Sequence, residues 1–154
     1  EFSKIGGLWL DLPEVSSLDK NSLGGITKKE IMFFESPTFN KIIKKIKKVD
    51  ERRATQVQTF FNDFYLCLNE IDRVLKSGKL ACFIVGNRSV KGQTIKMDKI
   101  IVDMFYSKQY NHVKTIVREI PSKKMPRYIS PSGIKGQKNI TMQHEYLVFL
   151  QKRA

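Results

Sequence analysis

The feature that most constrains this chain is the segment Leu80-Ala81-Cys82-Phe83-Ile84-Val85, an unbroken apolar run. A strand with one wet face alternates apolar and polar side chains. A continuous run reads instead as a central parallel strand covered on both faces. It stops at Gly86-Asn87, a common strand terminator. Before it lies a long amphipathic segment. There Val57, Phe60, Phe61, Phe64, Tyr65, Leu68, Ile71, Val74 and Leu75 form a broad stripe at helical spacing, of the kind that packs on a sheet. Lys76-Ser77-Gly78 ends this helix, with Gly78 suited to the left-handed cap conformation.

The remaining elements follow from the same signals. Residues 1–35 read as irregular, broken by Gly6-Gly7, Pro13 and Gly24-Gly25. A first helix starts at Ser36-Pro37, with Ser36 as cap and Pro37 at the first helical position. Phe39, Ile42, Ile43, Ile46 and Val49 keep helical spacing, and Lys41, Lys44, Lys45, Lys47 and Lys48 form the opposite face. After the apolar strand, Arg88 to Lys96 reads as a polar loop. Asp98 can cap a third helix bearing Ile100, Ile101, Met104 and Phe105. His112 to Ile120 is rich in β-branched residues and predicts a strand. A long loop, Pro121 to Thr141, leads to a last strand from Glu145 to Leu150. Helix-to-strand alternation predicts an α/β fold with a parallel sheet, and the final pair predicts an antiparallel edge hairpin. The 154 residues suit one compact domain.

Composition narrows the partners. Twenty-eight Lys and Arg against fifteen Asp and Glu give a net charge of +13. Such an excess draws polyanions, nucleic acid first among them, although a solvated basic surface gives the same count. No segment approaches the roughly 20 apolar residues of a membrane span. Cys67 and Cys82 sit in apolar runs and read as buried free thiols of a reducing cytoplasm. His112 and His144 stand alone, and no metal site is expected.

Several segments resemble the class I methyltransferases, and among them one bacterial family of site-specific DNA methyltransferases. Glu70-Ile71-Asp72-Arg73-Val74-Leu75-Lys76, followed by Gly78-Lys79, is similar to the “E-I-x-R-V-L-K-P-G-G-K” segment before that fold's fifth strand, with Ser77 in place of proline and one glycine fewer. Phe83 to Arg88 resembles the “V-I-V-V-G-N” strand end. Val117 to Pro126 resembles “V-R-x-I-P-x-K-x-M-P”, and Thr141 to Val148 resembles “T-M-x-x-E-Y-I-V”. Phe2-Ser3-Lys4, Trp9-Leu10 and Leu18 to Gly25 are similar to the stretch after the family's catalytic motif. The resemblance covers nearly the whole chain.

The resemblance implies the second half of a Rossmann-like sheet, with helices on its faces and a C-terminal antiparallel hairpin. It makes residues 1–154 a partial methyltransferase domain: 1–35 irregular, 36–76 two helices, 80–154 the later strands. It implies methyl transfer from S-adenosylmethionine to an exocyclic amino group, cytosine N4 or adenine N6, of double-stranded DNA in a restriction-modification setting. The family's donor motif “D-P-F-C-G-S-G-T-T” and catalytic motif “S/D-P-P-Y” do not occur in this sequence. No catalytic residue is therefore assigned, and the isolated chain is expected to be inactive without the N-terminal half, or to self-associate through its open sheet edge. An inactive basic DNA-binding fragment and an RNA methyltransferase are the alternatives.

Gly86 and Asn87, at the ligand side of an open α/β sheet, are the expected wall of the target-base pocket. For Asn87 a simple turn role is an equal alternative. Arg88 and Lys91 continue from it and could reach phosphates. Lys123, Lys124, Arg127, Tyr128, Lys135 and Lys138 mix cations with an aromatic in a long loop suited to DNA contact. For each of these the bland reading is an ordinary solvated loop.

Overall fold

The computed structural model describes Leu18 and residues 20–26, 34–120 and 142–154. Helix α1 spans Pro37–Val49 and starts as its sequence predicts. The Ser36 hydroxyl accepts from the Phe39 N–H at 3.1 Å, with Pro37 at the first helical position. The same hydroxyl donates to Asp103 Oδ2 at 2.7 Å, and the Thr38 N–H donates to that oxygen at 3.2 Å. A carboxylate thus sits where the helix dipole favours negative charge. Phe39, Ile43 and Ile46 are buried, and the five lysines face solvent.

Helix α2 spans Glu51–Val74 and begins before the apolar stripe does. Asp50 is its cap, accepting from the Arg53 N–H at 2.8 Å. Leu75 is extended and ends the helix. Gly78 takes φ +75°, as expected of its type, but in the turn into the next strand rather than in the helix cap. Aromatic rings weld α2 to α1, Phe61 meeting Phe39 at 4.8 Å, and Phe34 from the segment before α1 meets Phe39 at 5.0 Å.

Strand β1 spans Leu80–Gly86. Two short strands follow, β2 (Arg88–Val90) and β3 (Gln93–Ile95), then helix α3 (Met97–Tyr106), strand β4 (Tyr110–Glu119) and strand β5 (His144–Lys152). The fold is mixed α/β with a small antiparallel sheet in the order β1-β5-β4. Leu80 pairs with Gln151 and Gly86 with Glu145 on one side of β5; Tyr110 pairs with Lys152 and Glu119 with His144 on the other.

Five expectations are corrected. No parallel ladder occurs among the described residues, because β5 lies between β1 and β4 and hydrogen-bonds to both. Among the described residues the apolar run is covered on one face only. Ala81 is buried and Phe83 half-buried, whereas Leu80 and Ile84 are 56% and 61% exposed. Cys82 shares that open face, and Cys67 is exposed on α2, so neither free thiol is buried. The stretch Arg88 to Lys96 contains a hairpin rather than a loop. Lys91 and Gly92 at its tip have φ 49° and 72°, the pair of positive angles that a two-residue hairpin turn of the favoured hand requires. Finally, Lys96 rather than Asp98 precedes α3 and gives no side-chain cap, while Asp98 is buried in the first turn.

Helix α3 closes the packed face. Phe105 meets Phe83 at 5.3 Å and Tyr110 at 4.6 Å, over a floor of Val148 and Leu150.

Candidate functional site

Two clusters of polar groups flank the sheet, one at each end of β1. At its start, Asp72 accepts from the Tyr110 hydroxyl at 2.9 Å and from Lys152 Nζ at 2.9 Å. Burial alone would raise the Asp72 carboxyl, but these two hydrogen bonds outweigh it and hold the carboxyl below its ordinary range. Burial first, and the bond to Asp72 second, push the Tyr110 phenol up to about 12. Every charge in this cluster meets an opposite one. It joins α2 to β4 and β5 and has the character of a structural tie.

The end of β1 is built differently. Gly86 is the last strand residue, and a Cβ there would lie 1.7 Å from Met142 Sδ. Any larger residue there would make the Met142 side chain swing aside. Asn87 follows, and its Oδ1 accepts from the Met97 N–H at 2.8 Å. It thus satisfies the first orphan amide of α3, the role expected of Asp98. The β2–β3 hairpin is tied back to the start of α2 by Lys91 Nζ to Asp50 Oδ2 at 2.9 Å. That bond, then the Arg53 N–H, hold the Asp50 carboxyl below its usual range.

Between these parts lies a cavity of about 570 Å³. Leu23, Gly24 and Gly25 form one wall. Arg53, Gln56, Val57, Phe60 and Phe61 of α2 form a second, and Val85, Gly86, Arg88, Val90, Ile95 and Met97 form the third. Gly24 has φ +74°, donates its N–H to Asp63 Oδ2 at 3.0 Å, and would place a Cβ only 3.0 Å from Phe60 Cβ. Its glycine lets the segment close over α2.

The cavity is apolar in its walls and cationic at Arg53 and Arg88. Arg53 Nη1 donates to Gln56 Oε1 at 2.7 Å. Among the described residues no carboxylate forms a salt bridge with either guanidinium, so this end of the strand keeps net positive charge. A planar group with an attached anion suits such a space.

Gly86, Asn87 and Arg88 come together at this end of the sheet, and Gly86 and Arg88 line the cavity. Lys91 is close by, but its ammonium is paired with Asp50. Lys123, Lys124, Arg127, Tyr128, Lys135 and Lys138 lie outside the described residues. Sequence reasoning missed Arg53 and Gln56. The signal was present in Asp50-Glu51, a cap followed by an acidic first turn, which starts α2 early enough to include both. His112 Nε2 bonds Thr115 Oγ1 at 2.8 Å. Among the described residues no group of His, Cys, Asp or Glu is placed to hold a metal, and no helix is long and apolar enough to cross a membrane.

A basic α/β unit with a nucleotide-sized cavity at a strand end is the setting in which sequence similarity carries weight. No family model matches the chain, and no solved structure matches it. Over 162 aligned residues, 98% of this chain, it is 33% identical to the Type II methyltransferase M.MvaI of Kocuria varians. The chain spans 36% of that protein's length. The chain is therefore similar, along nearly its whole length, to one portion of a Type II methyltransferase.

Proposed function

We propose that this chain is the later part of a site-specific DNA methyltransferase domain, which transfers a methyl group from S-adenosylmethionine to cytosine N4 or adenine N6. The similarity to M.MvaI along practically the whole chain carries this reading. The strand order supports it: a last strand inserted antiparallel beside β1 suits the closing half of a Rossmann-like sheet, as the sequence motifs imply. The charge of +13 suits a polyanionic substrate in the cytoplasm.

The roles of the residues follow from their geometry. Gly86 and Asn87 wall the target-base pocket. Asn87 is a positioning residue, since its carbonyl oxygen is spent on the Met97 N–H and fixes the strand end to α3. Its amide N–H groups remain for a base edge or a neighbouring loop. Arg88 and Lys91, with Lys123, Lys124, Arg127, Tyr128, Lys135 and Lys138, contact the DNA.

The described residues do not fit the methyl donor. The end of β1 leads into the β2–β3 hairpin rather than a glycine-rich turn opening a helix, and the first amide of α3 is taken by Asn87. Donor and catalytic groups are assigned to the remainder of the methyltransferase domain. The open face of the sheet, where Leu80, Ile84 and Ile116 are exposed, suits a cover from that remainder.

The test is methyl transfer from labelled S-adenosylmethionine to DNA. The chain alone is expected to transfer none, and the chain joined to the remaining methyltransferase segments is expected to methylate DNA. Activity of the isolated chain would overturn the division of labour. Salt-sensitive DNA binding without transfer in the joined form would favour an inactive DNA-binding fragment. Preference for RNA duplexes in competition would favour an RNA enzyme.

A further inference from the structure

We infer that the cavity at the end of β1 is a single-nucleotide site, in which Arg53 and Arg88 grip a phosphate across its mouth while the base lies against Val57 and Phe60. The inference rests on the reading of this strand end as a base pocket and adds residues and a ligand class to it. Arg53 and Gln56 have no place in that reading.

The cavity's size is the first argument. A volume of about 570 Å³ falls in the range typical of small-ligand sites, roughly 300–1,000 Å³. The second is the distribution of charge. The two guanidiniums come from different elements, Arg53 from the first turn of α2 and Arg88 from β2. The Lys91–Asp50 ion pair at 2.9 Å holds these elements together. Lys91 takes Asp50 Oδ2, so Asp50 makes no salt bridge with either guanidinium, although its charge is felt at Arg53. At the other end of β1 the charges of Asp72 and Lys152 meet each other. Here Arg53 and Arg88 both line the cavity without a carboxylate salt bridge, and planar guanidinium donors suit a phosphate.

The third argument concerns Gln56. A guanidinium has only donors, so Arg53 must meet the carbonyl side of the Gln56 amide. The Gln56 Nε2 is thereby left facing away from Arg53 as a donor. It suits an acceptor edge of a base or a phosphate oxygen. Phe60 is only half-buried and offers ring surface to the cavity, with Val57 beside it. Stacking on such a surface tolerates any base, and the selective contacts come from the polar groups.

The experiment is an NMR titration of the 154-residue chain with deoxycytidine and deoxyadenosine 5′-monophosphates, compared with the same nucleosides lacking phosphate. The nucleotides are expected to bind about five- to tenfold more tightly than the nucleosides, as charge-assisted bonds predict. The shifted amides should be those of Arg53, Gln56, Phe60 and Val85 to Arg88. Arg53→Ala and Arg88→Ala should each bring nucleotide affinity toward the nucleoside value and leave nucleoside binding unchanged. Arg53→Lys should restore part of the loss, and Lys44→Ala on the far face of α1 should change nothing.

Equal affinity for nucleotide and nucleoside would overturn the proposal. So would shifts confined to the α1 lysines, or no shift at concentrations on the order of 10 mM, where even weak sites fill. The outcome is separable from the methyltransferase reading. Methylation by the joined enzyme with unchanged KM in Arg53→Ala and Arg88→Ala would end this inference and leave the broader reading standing.

Discussion

The two ends of β1 use charged and polar side chains to opposite effect. At the start, Asp72, Tyr110 and Lys152 close on one another, and the carboxylate oxygen accepts from both partners at 2.9 Å. At the end, Arg53 and Arg88 flank a cavity, and among the described residues the side-chain acceptor that meets a guanidinium is the neutral amide of Gln56. Satisfied charge fixes a fold; charge left facing a cavity is available to a ligand. The comparison teaches which end to treat as scaffold and which as site.

The largest expected effect breaks the scaffold end. Tyr110 is 1% exposed, and Tyr110→Ala should destabilise the chain by about 3–5 kcal/mol in denaturant unfolding, as for other buried aromatics. Nucleotide binding at the other end should persist where the variant is folded. Titration sharpens the same point. Asp72 has a lowered carboxyl, so its contribution is present above about pH 3.9, its unfolded value, and is lost as pH falls through the depressed one. Tyr110 has a raised phenol, so its contribution is full below about pH 10 and is lost as pH rises through about 12. The urea midpoint should fall at both extremes, and Tyr110→Phe should remove the alkaline fall.

Next in size is the glycine at the site end. Gly86→Ala pushes the flexible Met142 side chain aside and should cost about 1 kcal/mol by the same assay, the low end for overpacking. The Gly86→Ala, Met142→Ala double variant should recover part of that, which a double-mutant cycle detects. Asn87→Ala should cost about 1 kcal/mol through the lost cap on α3, and Asn87→Asp, which keeps the acceptor, should cost less. Lys91→Ala is the smallest. Its pair with Asp50 is partly exposed and is worth at most about 1 kcal/mol. Nucleotide affinity should nevertheless fall, because the hairpin bearing Arg88 is no longer held to α2.

Much of this was legible in the residues. Ser36-Pro37 announced α1, the Leu80 to Val85 run announced β1, and the closing motifs pointed to the methyltransferases. Other features depended on long-range partners. The apolar run could not say that β5 would insert beside β1, because strand order is decided by pairing between segments distant in sequence. It suggested cover on both faces, and the described residues supply one. Asn87 was placed correctly at the strand end. Its bond to Met97 became visible only when the β2–β3 hairpin folded ten residues back on themselves. The stripe beginning at Val57 hid the first turn of α2, and Arg53 and Gln56 with it.

The most direct measurement of the central claim is photo-cross-linking of the chain, joined to the remaining methyltransferase segments, to duplex DNA. One preparation would carry 5-iodocytosine and another 8-azidoadenine. If the end of β1 is the base pocket, the cross-linked peptides fall at Arg53 to Phe61 and Val85 to Arg88. Cross-links confined to the α1 lysine face, with none at either cavity wall, would contradict it.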